Sequence, residues 1–274
     1  MIKKITSVIF GLIVFIATLS GCLTISNPSG RIIRTTTGEV IKKDNSFFPI
    51  QSFVMTAQSF ILTSEVCSKA GECEQSILSK SSSVASGVIV KTDTDTSYVL
   101  TAGHVCLPPP PNTSLPGILK VTYKILLETG FGKRASGSII AVDEENDLCL
   151  LETSEWLGPG LTMMSGETNL HAKVYNMASP NGLGASIAVP VFDGYYIGKV
   201  ANRTLFTIPA APGSSGSPIM NSRNEIITII SAAAIRFDEF AICPTTAAVQ
   251  AFLLDNIPAK KNSSILDKVK RAFK

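Results

Sequence analysis

Pro212-Gly213-Ser214-Ser215-Gly216-Ser217-Pro218 is the stretch on which the fold turns. A short apolar run, Leu205 to Ile208, leads into it, and a strand-like run, Glu225 to Ile230, follows it. A serine set between glycines, with proline on either side, makes a tight turn that presents one hydroxyl. Glycine lets the backbone amides approach a ligand with no Cβ in the way. A hydroxyl alone is a weak nucleophile; it needs a base, and the base needs a group to orient it. Such a turn therefore calls for a histidine and a carboxylate elsewhere in the chain.

Both are present. One of the two histidines, His104, follows Tyr98-Val99-Leu100-Thr101-Ala102-Gly103, an apolar strand run that ends in small residues. Asp147 heads the apolar run Leu148-Cys149-Leu150-Leu151. The order His, Asp, Ser is one of three unrelated arrangements of a single chemistry, the one used on paired β-barrels. The G-x-S-x-G elbow does not fit, because Ser217 takes the fifth position and the acid precedes the serine. His171 lies in a polar loop and reads as a surface residue.

In TAGHV, DLCLL and PGSSGSP the chain resembles the chymotrypsin-like serine proteases at their histidine, aspartate and serine motifs. Val174 to Gly184, and Phe240 to Leu254 with its closing helix, resemble the bacterial high-temperature-requirement branch of that family. The resemblance runs over residues 84–255, with only the three motifs specific. It implies an all-β fold of two six-stranded antiparallel Greek-key barrels packed face to face, with a short C-terminal helix. The N-terminal barrel (47–155) would carry His104 and Asp147, and the C-terminal barrel (156–255) would carry Ser215. By the same resemblance Ser215 attacks a scissile carbonyl, His104 moves the proton, and Asp147 fixes the imidazole. The N–H groups of Gly213 and Ser215 would form the oxyanion hole. The implied activity is that of a serine endopeptidase working through an acyl-enzyme on polypeptide, with no cofactor or metal. The branch usually adds peptide-binding domains; few residues follow 255, so none is expected.

Two departures from the family carry physical meaning. Ser214 stands where digestive members hold an aspartate that traps a newly cut N-terminus, so activation by cleavage is not expected. Pro209 stands where trypsin-type members hold a pocket acid. With Ser231, Ala232 and Ala233 it makes a specificity pocket that is small and uncharged, which favours small or aliphatic residues before the scissile bond. Two other activities fit the same residues: an idle protease fold that binds peptides, and an esterase using the same three side chains.

Outside the barrels, Lys3 and Lys4 precede an apolar stretch from Ile5 to Leu19, and Leu19-Ser20-Gly21-Cys22 looks like a bacterial lipobox. Residues 1–21 read as a lipoprotein signal peptide, with Cys22 as the lipidated residue that holds the chain to a membrane on the periplasmic or extracellular side. An ordinary secretory signal or a single anchor is the alternative, although the apolar run is shorter than the roughly 20 residues a spanning helix needs. Residues 22–46 are polar and read as a tether. A formal charge of +3, with no basic aromatic patch, gives no indication of nucleic acid. In an exported chain Cys67 and Cys73 read as a disulfide-closed loop. Among Cys106, Cys149 and Cys243, a bridge between the first two is reasonable, but Cys243 competes for either. The basic tail, 256–274, has apolar residues at helical spacing. It reads as a solvated helix, with contact to lipid head groups as the alternative.

Overall fold

The computed structural model describes residues 32–34, 40–42, 48–67, 73–107, 118–183, 188–234 and 237–258. The signal segment 1–21, Cys22, most of the tether, the proline run 108–111 and the tail from 259 lie outside the described residues. Within the tether range, β1 (Ile32–Arg34) pairs antiparallel with β2 (Val40–Lys42).

Six strands then close a barrel: β3 (Phe53–Cys67), β4 (Cys73–Thr92), β5 (Ser97–Ala102), β6 (Ile118–Thr129), β7 (Arg134–Asp143) and β8 (Leu148–Thr153). Their order around the barrel is β3-β4-β5-β8-β7-β6. The apolar runs predict two short strands at Phe53–Met55 and Phe60–Leu62. The structure instead has one strand of 15 residues. Its middle is polar yet stays extended, because it pairs with β4 on one side and β6 on the other over Val54–Glu65. Thr56 and Gln58 are buried there, and the Gln58 amide donates to the Thr56 hydroxyl at 3.2 Å. Cys67 and Cys73 face each other in register across the end of the hairpin, and Cys73 is disulfide-bonded.

The second half contains β9 (Lys173–Met177), β10 (Val191–Val200), β11 (Arg203–Phe206), β12 (Pro218–Met220), β13 (Ile226–Ile229), β14 (Ala232–Ala234) and β15 (Phe237–Pro244). These form one antiparallel sheet in the order β13-β12-β9-β10-β11-β15-β14. Its two ends are consecutive pieces of one stretch. Ile230 N–H donates to Ser217 O at 2.9 Å and Ser231 N–H to Ile242 O at 3.1 Å, so the chain passes from one end of the sheet to the other without leaving it. Counted as one bent strand, residues 226–234 close a ring of six. The two-barrel architecture expected from the sequence is the one observed.

The barrel interiors are separate cores. Val54, Ile89, Val99, Leu127 and Leu151 fill the first, and Val174, Phe206, Ile208, Ile219 and Ala241 the second. Between them, Val88, Tyr98, Leu100, Leu148 and Leu150 pack on Ile226 and Ile229 and on Val249, Phe252 and Leu253 of the C-terminal helix. Because side chains alternate along a strand, β5 and β8 send one face into their own barrel and the other into this seam. Both strands are therefore apolar almost throughout. The helix, α2 (Thr246–Asn256), is capped by Thr245, whose hydroxyl accepts from Ala248 N–H at 3.2 Å. A four-residue helix, α1 (Gly103–Cys106), follows β5 directly.

Candidate active site

The seam determines where the reactive groups stand. His104 is carried on α1 at the end of β5, and Asp147 immediately precedes β8. β5 and β8 are neighbours, paired from Ser97↔Thr153 to Ala102↔Leu148, which brings the two side chains together. Asp147 has φ +57, an unfavourable conformation for a residue with a side chain. At Gly103 a Cβ would come within 2.9 Å of Leu148 N, so only glycine lets α1 lie this close to the Asp147 backbone.

Asp147 is held by four contacts. His104 Nδ1 lies 3.0 Å from Oδ1 and 3.0 Å from Oδ2, and His104 N–H donates to Oδ1 at 2.7 Å. The Ser231 hydroxyl donates to Oδ2. Burial pushes the Asp147 carboxyl up, but hydrogen bonds from the His104 ring, Ser231 and the His104 amide outweigh it and hold it below the usual carboxylate range. The group is thus an anion at neutral pH, and it engages Nδ1. The other ring nitrogen, Nε2, is left for a second partner.

Ser215 lines the same cleft as His104, a space of about 490 Å³ that also involves Gln58, Phe60, Ser81 to Ala85, Val105, Leu107, Pro212 and Gly213. No hydrogen bond joins the Ser215 hydroxyl to the imidazole among the described residues; such bonds often tighten only when substrate is bound. The turn bearing Ser215 is tightly held. Ser214 N–H donates to Ala211 O at 2.8 Å, which makes Ala211 to Ser214 a turn with proline second and glycine third. Gly213 has φ +98, and a Cβ there would lie 2.3 Å from Ser179 O. Ser217 N–H donates to Ser214 O at 3.0 Å and Gly216 N–H to Ile230 O at 2.7 Å. The N–H groups of Gly213 and Ser215 have no partner among the described residues. Two free donors beside a hydroxyl are what a developing oxyanion requires.

Sequence reasoning missed Ser86, and it missed the bond that Ser231 makes with Asp147. Ser86 ties the first barrel to this turn: its N–H donates to Ser215 O at 2.8 Å and its hydroxyl to Gly213 O at 2.8 Å. The same hydroxyl accepts from Ser179 N–H at 2.9 Å. A serine in a strand carries no signal of such a task. Ser231 was expected as a pocket wall, but its hydroxyl is committed to Asp147. Ala232 is exposed, Ala233 and Pro209 are half-buried, and none of the three is among the described residues lining the cleft. Cys106 and Cys149, each two residues beyond a reactive group, are joined in a disulfide with Cα atoms 6.4 Å apart; Cys243 is free and buried. His171 is exposed. No group of metal-ligating side chains occurs among the described residues.

Residues 85–229, just over half of the chain, match the family model described as "Trypsin-like peptidase domain". No curated protein is significantly similar to the chain in sequence. Among solved structures, the inactive form of the Rv3671c protease from M. tuberculosis is similar over 76% of this chain and 90% of its own, at 14% identity and a TM-score of 0.52. A serine endoprotease from Yersinia pestis is similar over 75% of this chain and 62% of its own, at 17% identity and a TM-score of 0.53. At these identities the likeness is one of fold.

Proposed function

The chain belongs to the trypsin-like peptidase domain family, and from that premise we propose that it is an exported serine endopeptidase. The observation that carries the proposal is the His104 imidazole held through Nδ1 by Asp147, across one cleft from Ser215. Ser215 Oγ attacks the scissile carbonyl while His104 Nε2 takes its proton. The acyl-enzyme forms as His104 returns that proton to the leaving amine, and water then repeats the sequence. Gly213 and Ser215 N–H groups receive the oxyanion, each worth about 3 kcal/mol of barrier. Ser231 acts with Asp147, holding the carboxylate that orients the ring.

Substrates with small or aliphatic residues before the scissile bond suit this site. Pro209, Ser231, Ala232 and Ala233, the proposed wall for that residue, carry no charge, so a lysine or arginine side chain would find no ionic partner among them. Export is supported by the Cys106–Cys149 disulfide, since such bonds persist in oxidising compartments. The apolar segment ending in Leu19-Ser20-Gly21-Cys22 supports lipidation of Cys22 as the route to the membrane. We read 47–155 and 156–255 as the two barrel domains and 22–46 as the tether.

Peptide-library cleavage by the chain starting after Cys22 tests the activity and its preference together. Cleavage after Ala, Val, Leu or Thr is expected; a profile dominated by Lys, Arg or Glu contradicts the preference. Membrane partitioning tests the anchor: Cys22→Ser should release the chain or stall its processing.

A further inference from the structure

We propose that a groove beside the C-terminal helix is the docking site of this chain's own tail, residues 259–274. Nothing in this contact draws on the Ser215 chemistry. The groove encloses about 860 Å³ between two apolar walls. Val90 of β4, with Leu161 and Met163 from the segment after β8, forms one wall; Leu253, Leu254 and Ile257 at the end of α2 form the other. The walls are tied to each other. The Gln250 amide of α2 donates to Met164 O at 2.6 Å, and past the end of the helix Lys91 Nζ donates to Pro258 O at 2.6 Å. Leu161 is fixed in turn by its N–H, which donates to Ile89 O at 2.8 Å.

Val90, Leu161, Met163 and Ile257 are half-buried, and they pack from outside on the seam core that holds Val88, Leu148 and Ile226. Leu254 is 82% exposed. One exposed leucine needs no explanation, but one that continues an apolar groove marks a surface that something covers.

The occupant is set by where the chain leaves the fold. Pro258 itself lines the groove, and residues 259–274 follow it directly. Ala259 to Ser264 are small or polar and span at most about 20 Å, enough to turn the chain back over the roughly 10 Å of helix from Gln250 to Ile257. Ser264-Ile265-Leu266-Asp267 fits the pattern of a helix start. From there Ile265, Leu266, Val269 and Phe273 fall on one stripe at helical spacing, about 12 Å long, which matches the wall it would meet. Charge agrees with this placement. Lys268 and Lys270 flank the stripe, and a second hollow, sharing Asp255 and Asn256 with the groove, is lined by Asp143, Glu144 and Asp255 and by no cation among the described residues. A covalently attached segment acts at high effective concentration, so a modest apolar contact suffices to hold it. A lipid surface also suits a basic amphipathic helix, but it would leave Leu254 and its groove bare.

Photocrosslinking of the full chain, in the cells that produce it, tests the contact. A photoreactive benzoyl-phenylalanine takes the place of Phe273, on the apolar stripe, or of Arg271, on the opposite face. After irradiation, denaturation and digestion, the probe at 273 should be joined to a peptide of the same chain that contains Met163 or Leu254, with little such product from the probe at 271. Leu254→Lys alters a side chain that the barrels do not bury, and it should lower this yield about tenfold or more. Adducts with lipid acyl chains instead would show a membrane-bound helix and overturn the proposal. A product of doubled mass on a denaturing gel would show a second copy of the chain at the tail, and overturns it too. Equal yields from the two probe positions, no product from either, or a yield unchanged by Leu254→Lys overturn it as well.

Discussion

The hydroxyl of Ser231 donates to Oδ2 of Asp147, on the carboxylate whose oxygens also face Nδ1 of His104. A residue that sequence alone assigns to substrate selection is thereby part of the support for the proposed base. Removing this bond leaves the carboxylate freer to leave the imidazole plane. Hydrogen bonds to charged groups contribute about 1.5–3 kcal/mol. Ser231→Ala should therefore lower kcat roughly 10- to 100-fold with KM little changed, whereas a pocket role predicts the reverse split. Steady-state kinetics on one good peptide substrate distinguish them.

Asp147 also makes stability depend on pH. Its folded pKa lies below the unfolded one. Such a group contributes stability that is complete above the unfolded value and disappears as the pH falls through the folded one. The thermal stability of the unaltered chain over Asp147→Asn should thus be greatest near neutrality. It should shrink as the pH is lowered from about 5 through the carboxylate range. A constant difference between the two proteins across that range would contradict the assignment.

Gly213→Ala probes the proposed oxyanion donors. Any side chain there must adopt φ +98 and displace Ser179 O from 2.3 Å. The turn should respond by rotating the Gly213 N–H away, with a loss of roughly 10²- to 10³-fold in kcat. The cost in folding should be about 1–3 kcal/mol, measured by denaturant titration.

The buried Cys243 thiol gives a check on the second barrel. Burial pushes its pKa far above that of a free cysteine, so almost no thiolate forms. Iodoacetamide should leave it unmodified in the native protein and alkylate it only above the unfolding midpoint, as read by peptide mass mapping.

Much of this architecture was legible because β5 and β8 are buried on both faces and read as continuous apolar runs, with His104 and Asp147 at their ends. The Ser215 turn was legible from its glycines and prolines. The full extent of β3 was not, since Thr56 to Ser59 break the apolar pattern and only pairing on both sides keeps them extended. The bridge between Cys106 and Cys149 could not be separated from one to Cys243 until the strands fixed which thiols meet. Ser86 and Ser231 were opaque for a simpler reason: a hydroxyl in a strand gives no sign of the partner that the other barrel, or the other strand, brings to it.

Ser215 is the proposed nucleophile and His104 its proposed base. The most direct measurement is mass spectrometry of the chain after exposure to a fluorophosphonate. One phosphonyl adduct on the peptide containing Ser215 is expected, absent from Ser215→Ala and strongly reduced in His104→Ala. No adduct on the folded chain, or equal labelling of Ser215→Ala, would contradict the account.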